Sequence, residues 1–195
     1  FGTNRDEQVN AVAVSTTGVY AGGNTIGVFP GQTSTGLNDT DAFVARYDVA
    51  GNQLWVRQFG STTFATDAVH GVAADSTGVY AVGETLGTLP GQSRIGSSDI
   101  FVRKYDVNGT ELWTRQFGTP QEDKGYAAAV DVTGVYVAGE QFGDGVGRKY
   151  DLNGNVVQKN HPTVGAIPGG ATVELAVATN VLKGDNQLSF ILSEP

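Results

Sequence analysis

The sequence has no cysteine and no methionine among its 195 residues, and only two histidines. Without cysteine the chain can form no disulfide, no thiolate metal site and no cysteine nucleophile. Two histidines with no cluster of carboxylates around them give little support for a transition-metal centre. The sequence therefore favours neither a disulfide-stapled scaffold nor a zinc or iron enzyme.

Positive charge is also scarce, since 12 Lys and Arg residues stand against 20 Asp and Glu residues and leave a net charge of −8. Nucleic-acid affinity depends on cations that neutralise phosphates, so we expect no nucleic-acid partner. No apolar run approaches the roughly 18 residues that span a bilayer, and we expect no transmembrane segment. The low charge and the abundance of Thr, Ser, Gly and Asn are typical of exported proteins, and we predict an extracellular or cell-surface location.

The most informative feature that is present is an internal repeat. The segment Asp99 to Gly118, DIFVRKYDVNGTELWTRQFG, closely matches Asp41 to Gly60, DAFVARYDVAGNQLWVRQFG. Phe-Gly pairs start at Phe1, Phe59 and Phe117, a spacing of 58 residues. Gly-Val-Tyr starts at Gly18, Gly78 and Gly134, and Tyr-Asp starts at Tyr47, Tyr105 and Tyr150. Repeats of this length indicate an array of one structural unit.

Each unit reads as four β-strands, and helical periodicity is missing throughout, so the predicted fold class is all-β. In the first unit the strands are predicted at Val9 to Val14, Val19 to Thr25, Ala42 to Tyr47 and around Leu54 to Phe59. Short Gly-containing turns such as Asp106-Val-Asn-Gly109 join them. The first strand is rich in Val, Ala and Gly, and the fourth carries Trp and Phe.

This gradient of side-chain size predicts a β-propeller-type array. Blades that converge on an axis leave room only for small residues there, and large aromatic residues fill the space where the blades diverge. We therefore expect Trp55 and Trp113 to be buried between blades. A sandwich built from repeated hairpins is the alternative architecture.

The repeated pattern D-x-F-V-x-[RK]-Y-D-x-x-G-x-x-L-W-x-x-x-F-G, followed by G-V-A-x-D-x-T-G-V-Y-x-x-G, resembles the bacterial β-propeller repeats often called SBBP repeats. The resemblance covers residues 1 to about 160. It implies a secreted or surface-anchored protein, usually with more than three blades, and it implies no established activity.

The predicted domains are propeller repeats over residues 1–160, with blades at about 1–60, 60–118 and 118–160, and a β-strand extension over 161–195 that we read as a hairpin. The third unit lacks the long loop, and Gln158 stands where Trp113 stands in the second unit. Three blades make an incomplete ring with open faces, which favour association. We therefore expect neighbouring blades or self-association, and a surface glycan or protein is a further possible partner.

Loops on a rigid scaffold are the usual contact surfaces, and the Pro-Gly loops of the first two units are the predicted binding sites. Their candidate residues are Phe29, Gln32, Leu89 and Gln92. His70 is a fifth candidate, because it lies on a first strand where it could line an axial channel. An ordinary role for His70 within its strand is the alternative.

Carboxylates recur ahead of each first strand, at Glu7, Asp67 and Asp123. They could line a ring of ligands, but such residues more often accept hydrogen bonds from a neighbouring turn. Asp39 and Asp41 place acidic oxygens close together and are the candidate calcium ligands, although Ca²⁺ needs six to eight oxygens and no EF-hand pattern is present. We expect no other cofactor.

The function predicted from the sequence is a non-enzymatic, exported repeat module for binding or self-assembly, such as a subunit of a filament or surface layer. A hydrolase or lyase acting on a polysaccharide is the alternative, and it would need a pair of converging carboxylates. A lectin-like sugar binder is a third possibility, and it would need exposed Trp or Tyr rings.

Overall fold

The computed structural model describes residues 2–34, 39–61 and 65–160, except the side chains of residues 158–160. They belong to one compact unit, Phe1–Pro162, and contain twelve β-strands and no helix. The strands are β1 (Glu7–Ser15), β2 (Gly18–Thr25), β3 (Asp41–Tyr47), β4 (Gln53–Phe59), β5 (Asp67–Asp75), β6 (Gly78–Thr85), β7 (Asp99–Asp106), β8 (Glu111–Phe117), β9 (Asp123–Asp131), β10 (Gly134–Gln141), β11 (Asp144–Tyr150) and β12 (Val156–Asn160). The hairpin predicted within residues 161–195 lies outside the described residues.

The strands form three four-stranded antiparallel sheets, and none of the sheets closes on itself. The first sheet has the order β1-β2-β3-β4, the second β5-β6-β7-β8 and the third β9-β10-β11-β12. The predicted all-β array of three blades is confirmed. The strands run slightly further than predicted, because β1 begins at Glu7 rather than Val9 and ends at Ser15 rather than Val14.

The turn between the third and fourth strands of each sheet follows from its Asp-x-x-Gly sequence. In the second sheet the Asp106 carboxylate accepts hydrogen bonds from the backbone N–H groups of Asn108 and Thr110, both at 2.8 Å. Gly109 has a φ of +78°, a left-handed conformation that glycine adopts without steric cost. The predicted role of the aspartate as a turn former is confirmed, and Asp48 and Asp151 do the same in the other sheets.

The first strands of the three sheets, β1, β5 and β9, lie side by side. The Asn10 amide on β1 donates to the carbonyl oxygen of Val69 on β5 at 2.9 Å. A Cβ atom on Gly71 would lie only 2.8 Å from the Cα of Ala127 on β9. At Gly71 the neighbouring first strands approach so closely that only glycine fits, in agreement with the small residues expected at this edge.

The fourth strands lie at the opposite edge, where aromatic side chains fill the wider space between sheets. Trp55 and Trp113 are 8% and 9% exposed and lie on β4 and β8. Phe59 packs edge-on against Phe101 of the next sheet, with ring centroids 5.5 Å apart. The predicted burial of both tryptophans between blades is confirmed.

The recurring basic residues of the third strands are part of this packing. Arg103 is 3% exposed, donates to the Thr114 hydroxyl at 2.8 Å and has its guanidinium carbon 4.0 Å from the centre of the Phe59 ring. Arg148 stands over Phe117 in the same way at 3.5 Å. These cations hold neighbouring sheets together through cation–π contacts.

The third sheet departs from the other two at the predicted places. Only Phe142 and Gly143 connect β10 to β11, so the long loop is absent. Phe142 has a φ of +51° and is 68% exposed. Gln158 pairs with Lys149 in the register, the position that Trp113 takes opposite Lys104.

Candidate functional site

The two apolar loop candidates lie inside the fold. Phe29 is 2% exposed and stacks edge-on against Phe43, with ring centroids 5.1 Å apart. Leu89 is fully buried in the core between the first two sheets. Neither side chain presents a surface to a partner, which corrects the expectation that they would form direct contacts. A binding role for the rest of each loop stays a prediction.

Each loop glutamine pairs with a glutamine on the fourth strand of its sheet, Gln58 or Gln116, which sequence reasoning missed. Gln32 Oε1 accepts the backbone N–H of Gln58 at 3.1 Å, and the Gln58 side chain accepts the N–H of Phe29 at 3.0 Å. The Gln58 amide also donates to Asp41 Oδ2 at 2.7 Å. Gln116 makes the same contacts with the loop of the second sheet, including Gln92. The signal was in the sequence, since R-Q-F-G recurs only in the units that have a Pro-Gly-Gln loop.

His70 is one of three residues at β-bulges on the first strands of the sheets, β1, β5 and β9. Each bulged residue pairs with a residue on the neighbouring strand: Asn10 with Asn24 at 3.1 Å, His70 with Glu84 at 3.2 Å and Tyr126 with Glu140 at 3.0 Å. Bulges of this kind redirect side chains. Burial and the hydrogen bond to Glu140 raise the pKa of Tyr126 to about 12. A ligand-binding role for His70 stays a prediction.

The carboxylates at the beginning of the first strands β1, β5 and β9 accept hydrogen bonds from nearby backbone N–H groups. Asp67 Oδ2 accepts the N–H of Ser61 at 2.7 Å, and Asp123 Oδ2 accepts the N–H of Thr119 at 2.6 Å. Glu7 Oε1 accepts the N–H of Thr3 at 2.9 Å. The structural interpretation of these residues is confirmed.

The two calcium candidates have different surroundings. Asp39 Oδ1 accepts the N–H groups of Thr40 at 3.1 Å and Ala65 at 2.7 Å, whereas its buried Oδ2 has no hydrogen-bond partner among the described residues. Burial raises the pKa of Asp39. Asp41 accepts the amide of Gln58. Within the described ranges, no three His, Asp or Glu side chains converge as a metal site would require. Calcium binding stays a prediction.

Tryptophan and arginine side chains at the rim join each sheet to the turn of the next. Trp55 Nε1 donates to the carbonyl oxygen of Val107 at 3.0 Å, and Arg57 Nε donates to that of Gly109 at 2.7 Å. Arg46 also donates to the Val107 carbonyl. We call this set of donors on one sheet and turn carbonyls on the next a clasp. The lectin-like alternative needs exposed rings, and these indoles are buried.

A second clasp joins the second and third sheets with the same geometry. Trp113 Nε1 donates to the carbonyl oxygen of Leu152 at 3.1 Å, Arg115 Nε to that of Gly154 at 2.8 Å and Lys104 Nζ to that of Leu152 at 3.4 Å. Trp113 fits over Gly154 so closely that a Cβ atom on this glycine would lie 2.7 Å from the ring. The clasp is therefore a repeated device that depends on Trp, Arg and the turn glycine.

The first sheet has a face on which nothing of this kind is docked. Val9, Val12 and Val14 on β1 are 52%, 65% and 72% exposed. At the rim of the same sheet, Val49 in the Asp48–Gly51 turn is 92% exposed. We call these three valines and this turn the open face. No clasp from the described residues reaches it, and it is the main candidate interaction surface.

Comparison with known proteins gives partial similarities. No family model matches the chain. A 49-residue stretch, 25% of the chain, is 57% identical to flagellar P-ring protein 1 of Hahella chejuensis, and 135 residues, 65% of the chain, are 31% identical to the regulatory protein FlaEY of Caulobacter vibrioides. A stretch of 39 residues is 56% identical to the flagellar P-ring protein of Geotalea uraniireducens. The chain spans only 13%, 14% and 10% of these three relatives.

Among solved structures, a protein of unknown function from Bacteroides caccae is similar with a TM-score of 0.44 and 11% identity, over 83% of this chain and 48% of that protein. Among the described residues, no helix is long and apolar enough to cross a membrane.

Proposed function

We propose that this chain is a non-enzymatic structural module of a bacterial surface or flagellum-associated assembly, and that it joins further subunits or blades through the open face. The observation that carries the proposal is the exposure of Val9, Val12 and Val14 on a sheet whose equivalent surface in the next repeat is buried. Contiguous exposed apolar patches on soluble proteins mark interaction sites. The exposure of these valines therefore supports the open face as the surface of assembly.

The partial similarities support the structural part of the proposal. Two of the three similar proteins are named as flagellar P-ring proteins, and all three are bacterial. An exported or surface location agrees with a composition without cysteine and with the resemblance to SBBP repeats. Membership of that repeat family and the closure of a full propeller belong to the proposal.

The absence of cysteine provides a clean test. The variants Val12→Cys and Val132→Cys each introduce one thiol, at residues that are 65% and 92% exposed in the isolated chain. We expect a maleimide reagent to label both at similar rates in the purified chain. In the assembled state on cells, labelling at position 12 is expected to slow by at least about tenfold while labelling at position 132 stays fast.

Equal labelling of Val12→Cys in the purified and the assembled chain would contradict the proposal, because an interface that carries the assembly must exclude the reagent. The Val132→Cys control lies in the turn between β9 and β10, away from the open face. If the reagent had poor access to the chain on cells in general, labelling of both variants would slow, and this result distinguishes poor access from protection of the open face.

A further inference from the structure

We propose that the partner of the open face is a complete blade of the same repeat type, whose fourth strand carries the Trp-x-Arg donors of a clasp. This inference rests on the proposed function and deepens it, because it names the chemistry that the partner must supply. It also excludes one obvious partner, the third sheet of a second copy of this chain.

β1 and β5 are equivalent strands, because each is the first strand of its repeat. Val69 and Val72 take the positions on β5 that Val9 and Val12 take on β1. Val69 is fully buried and Val72 is 9% exposed, because both pack against the first sheet. The corresponding surface on β1 has the same apolar composition and the same antiparallel register with its neighbour, including the bulge. It is thus shaped to receive another sheet of this kind.

An empty place for an indole lies at the rim of the open face. Gly109 and Gly154 lie under Trp55 and Trp113, and a Cβ on either would lie within 3 Å of the ring. Gly51 is the equivalent turn glycine of the first sheet, with a φ of +87° close to theirs, and no atom of the described residues lies within 4 Å of its Cβ position. The first turn therefore has the form of a clasp acceptor without its tryptophan.

The acceptor atoms of this turn are available as well. In the clasps the carbonyl oxygens of Val107 and Gly109, and those of Leu152 and Gly154, each receive side-chain donors. No donor from the described residues reaches the equivalent carbonyls of Val49 and Gly51. Arginine and indole N–H groups are strong donors to carbonyl oxygen, so a partner with these groups gains both hydrogen bonds and ring contact.

Only some sheets can supply the donors. The tryptophan and arginine donors of the first and second sheets already bond to turn carbonyls within the chain. In the third sheet the register places Gln158 opposite Lys149, where Trp113 stands opposite Lys104. It places Asn160 opposite Gly147, where Arg115 stands opposite Val102. The third sheet has therefore lost both residues of the Trp-x-Arg pair, and a second copy cannot close a clasp on the open face with it.

Restoring the donors gives the experiment. The full chain is immobilised either unchanged or as the double variant Gln158→Trp, Asn160→Arg, and the soluble unchanged chain is added as the probe. We expect the double variant to bind the probe at least about tenfold more tightly, because a clasp adds two or more charged or indole hydrogen bonds. The probe variant Val12→Lys is expected to lose this gain, and Val132→Lys, at a valine that is also exposed but lies outside the open face, is expected to keep it.

A tandem chain covers the case in which the double variant does not fold. Residues 61–118 are placed before Thr3 in the full chain, so that a blade with its own Trp and Arg precedes the first sheet. Maleimide labelling of Val12→Cys is expected to slow by about tenfold or more in the tandem chain. With Trp113→Gln and Arg115→Asn in the added blade alone, labelling should stay as fast as in the original chain.

The outcomes separate this inference from the proposed function. If chains with and without Trp-x-Arg bind or protect the open face equally, the requirement for a clasp is wrong while the open face remains an interface. If neither protects it and labelling on cells is also unchanged, both proposals are wrong. Binding of a soluble glycan mixture to the open face, lost in Val12→Lys, would likewise overturn the assignment of a blade as the partner.

Discussion

At the scale of single residues, the turn glycines of the clasps do two things at once. Gly109 adopts a left-handed φ of +78° and also leaves room for the Trp55 ring, whereas Gly51 has a similar φ of +87° with open space above it. A side chain at either position would strain the backbone, because both residues have a positive φ. Only at Gly109 would the side chain also clash with a neighbouring ring. This pair separates conformational strain from close packing.

We predict that Gly51→Ala lowers the free energy of unfolding by about 1 kcal/mol, the cost of a left-handed alanine. Gly109→Ala should cost about 1–3 kcal/mol more, because the added methyl group meets the Trp55 ring. Urea unfolding followed by tryptophan fluorescence measures both values. Equal losses in the two variants would show that the indole does not pack on the turn.

Asp67 gives a prediction on pH. Its side chain is fully buried, its Oδ1 has no hydrogen-bond partner of regular geometry in the part of the chain that the structure describes, and burial raises its pKa from the ordinary value of 3.8. A raised pKa in the folded state means that the folded chain holds a proton that the unfolded chain has released. The stability from this residue is therefore fully present below pH 3.8 and is lost as the pH rises through the folded-state pKa.

We expect Asp67→Asn to remove that loss, so that its melting temperature changes less than that of the unchanged chain between about pH 4 and the folded-state pKa. Asp48→Asn is a control of opposite sign, because hydrogen bonds from Asn52 and Ala50 lower the pKa of Asp48, and its contribution is lost only as the pH falls below the ordinary value of 3.8. Calorimetry on both sides of pH 3.8 compares the two variants. An unchanged pH profile in Asp67→Asn would show that its carboxyl is not the titrating group.

At the scale of the elements, each long loop is fixed to the rim strand by one glutamine. Gln116 donates to the carbonyl of Gly87 and the carboxylate of Asp99, and it accepts the N–H of Leu89. These contacts explain how a loop that contains Pro-Gly keeps one conformation and buries Leu89 beneath it. The loop and the strand act as one unit.

We predict that Gln116→Ala lowers the free energy of unfolding by about 2–3 kcal/mol, because it leaves a buried N–H and a buried carboxylate with fewer partners. Gln53→Ala removes an exposed glutamine from a fourth strand and should change stability by less than about 0.5 kcal/mol. Thermal and urea unfolding of both variants test this difference. Similar stability of the two variants would contradict the role given to Gln116.

The elements also show what a sequence can and cannot reveal. The strands, the Asp-x-x-Gly turns and the burial of Trp55 followed from periodicity, turn chemistry and side-chain size, which act locally or through the repeat. The inward orientation of Phe29 and Leu89 did not, because it depends on Gln58 and Gln116 from a distant strand. The clasps were missed for the same reason, since their acceptors are backbone carbonyls that carry no side-chain signature.

At the scale of the whole molecule, the chain is an array in which each sheet is held by its neighbour. The core between the first and second sheets and the core between the second and third sheets are separate clusters of buried residues. The stability of such arrays is close to a sum of unit and interface contributions. Damage to one interface should therefore stay local.

The double variant Trp113→Gln, Arg115→Asn gives the second sheet the residues of the third. We predict that it lowers the free energy of opening of the third sheet by about 3–5 kcal/mol. Hydrogen exchange in β9 to β12 should accelerate, while exchange in β2 and β3 stays close to that of the unchanged chain. The matched variant Trp55→Gln with Arg57→Asn should instead weaken the contact between the first and second sheets. Uniform acceleration in both variants would show one cooperative core in place of stacked units.

The open face connects this architecture with the proposed assembly. Its valines repeat the apolar surface that β5 buries, and its turn repeats the acceptor that two clasps use. We therefore propose that a further blade docks on the side of the first sheet. The third sheet has no Trp-x-Arg pair with which to extend the same contact.

A cryo-electron microscopy structure of the native assembly is the sharpest test of a blade docked on the open face. We predict density for an indole ring over Gly51, an arginine at the carbonyl of Gly51, and a further sheet that covers Val9, Val12 and Val14. An assembly in which these valines and the Gly51 turn face solvent would contradict it.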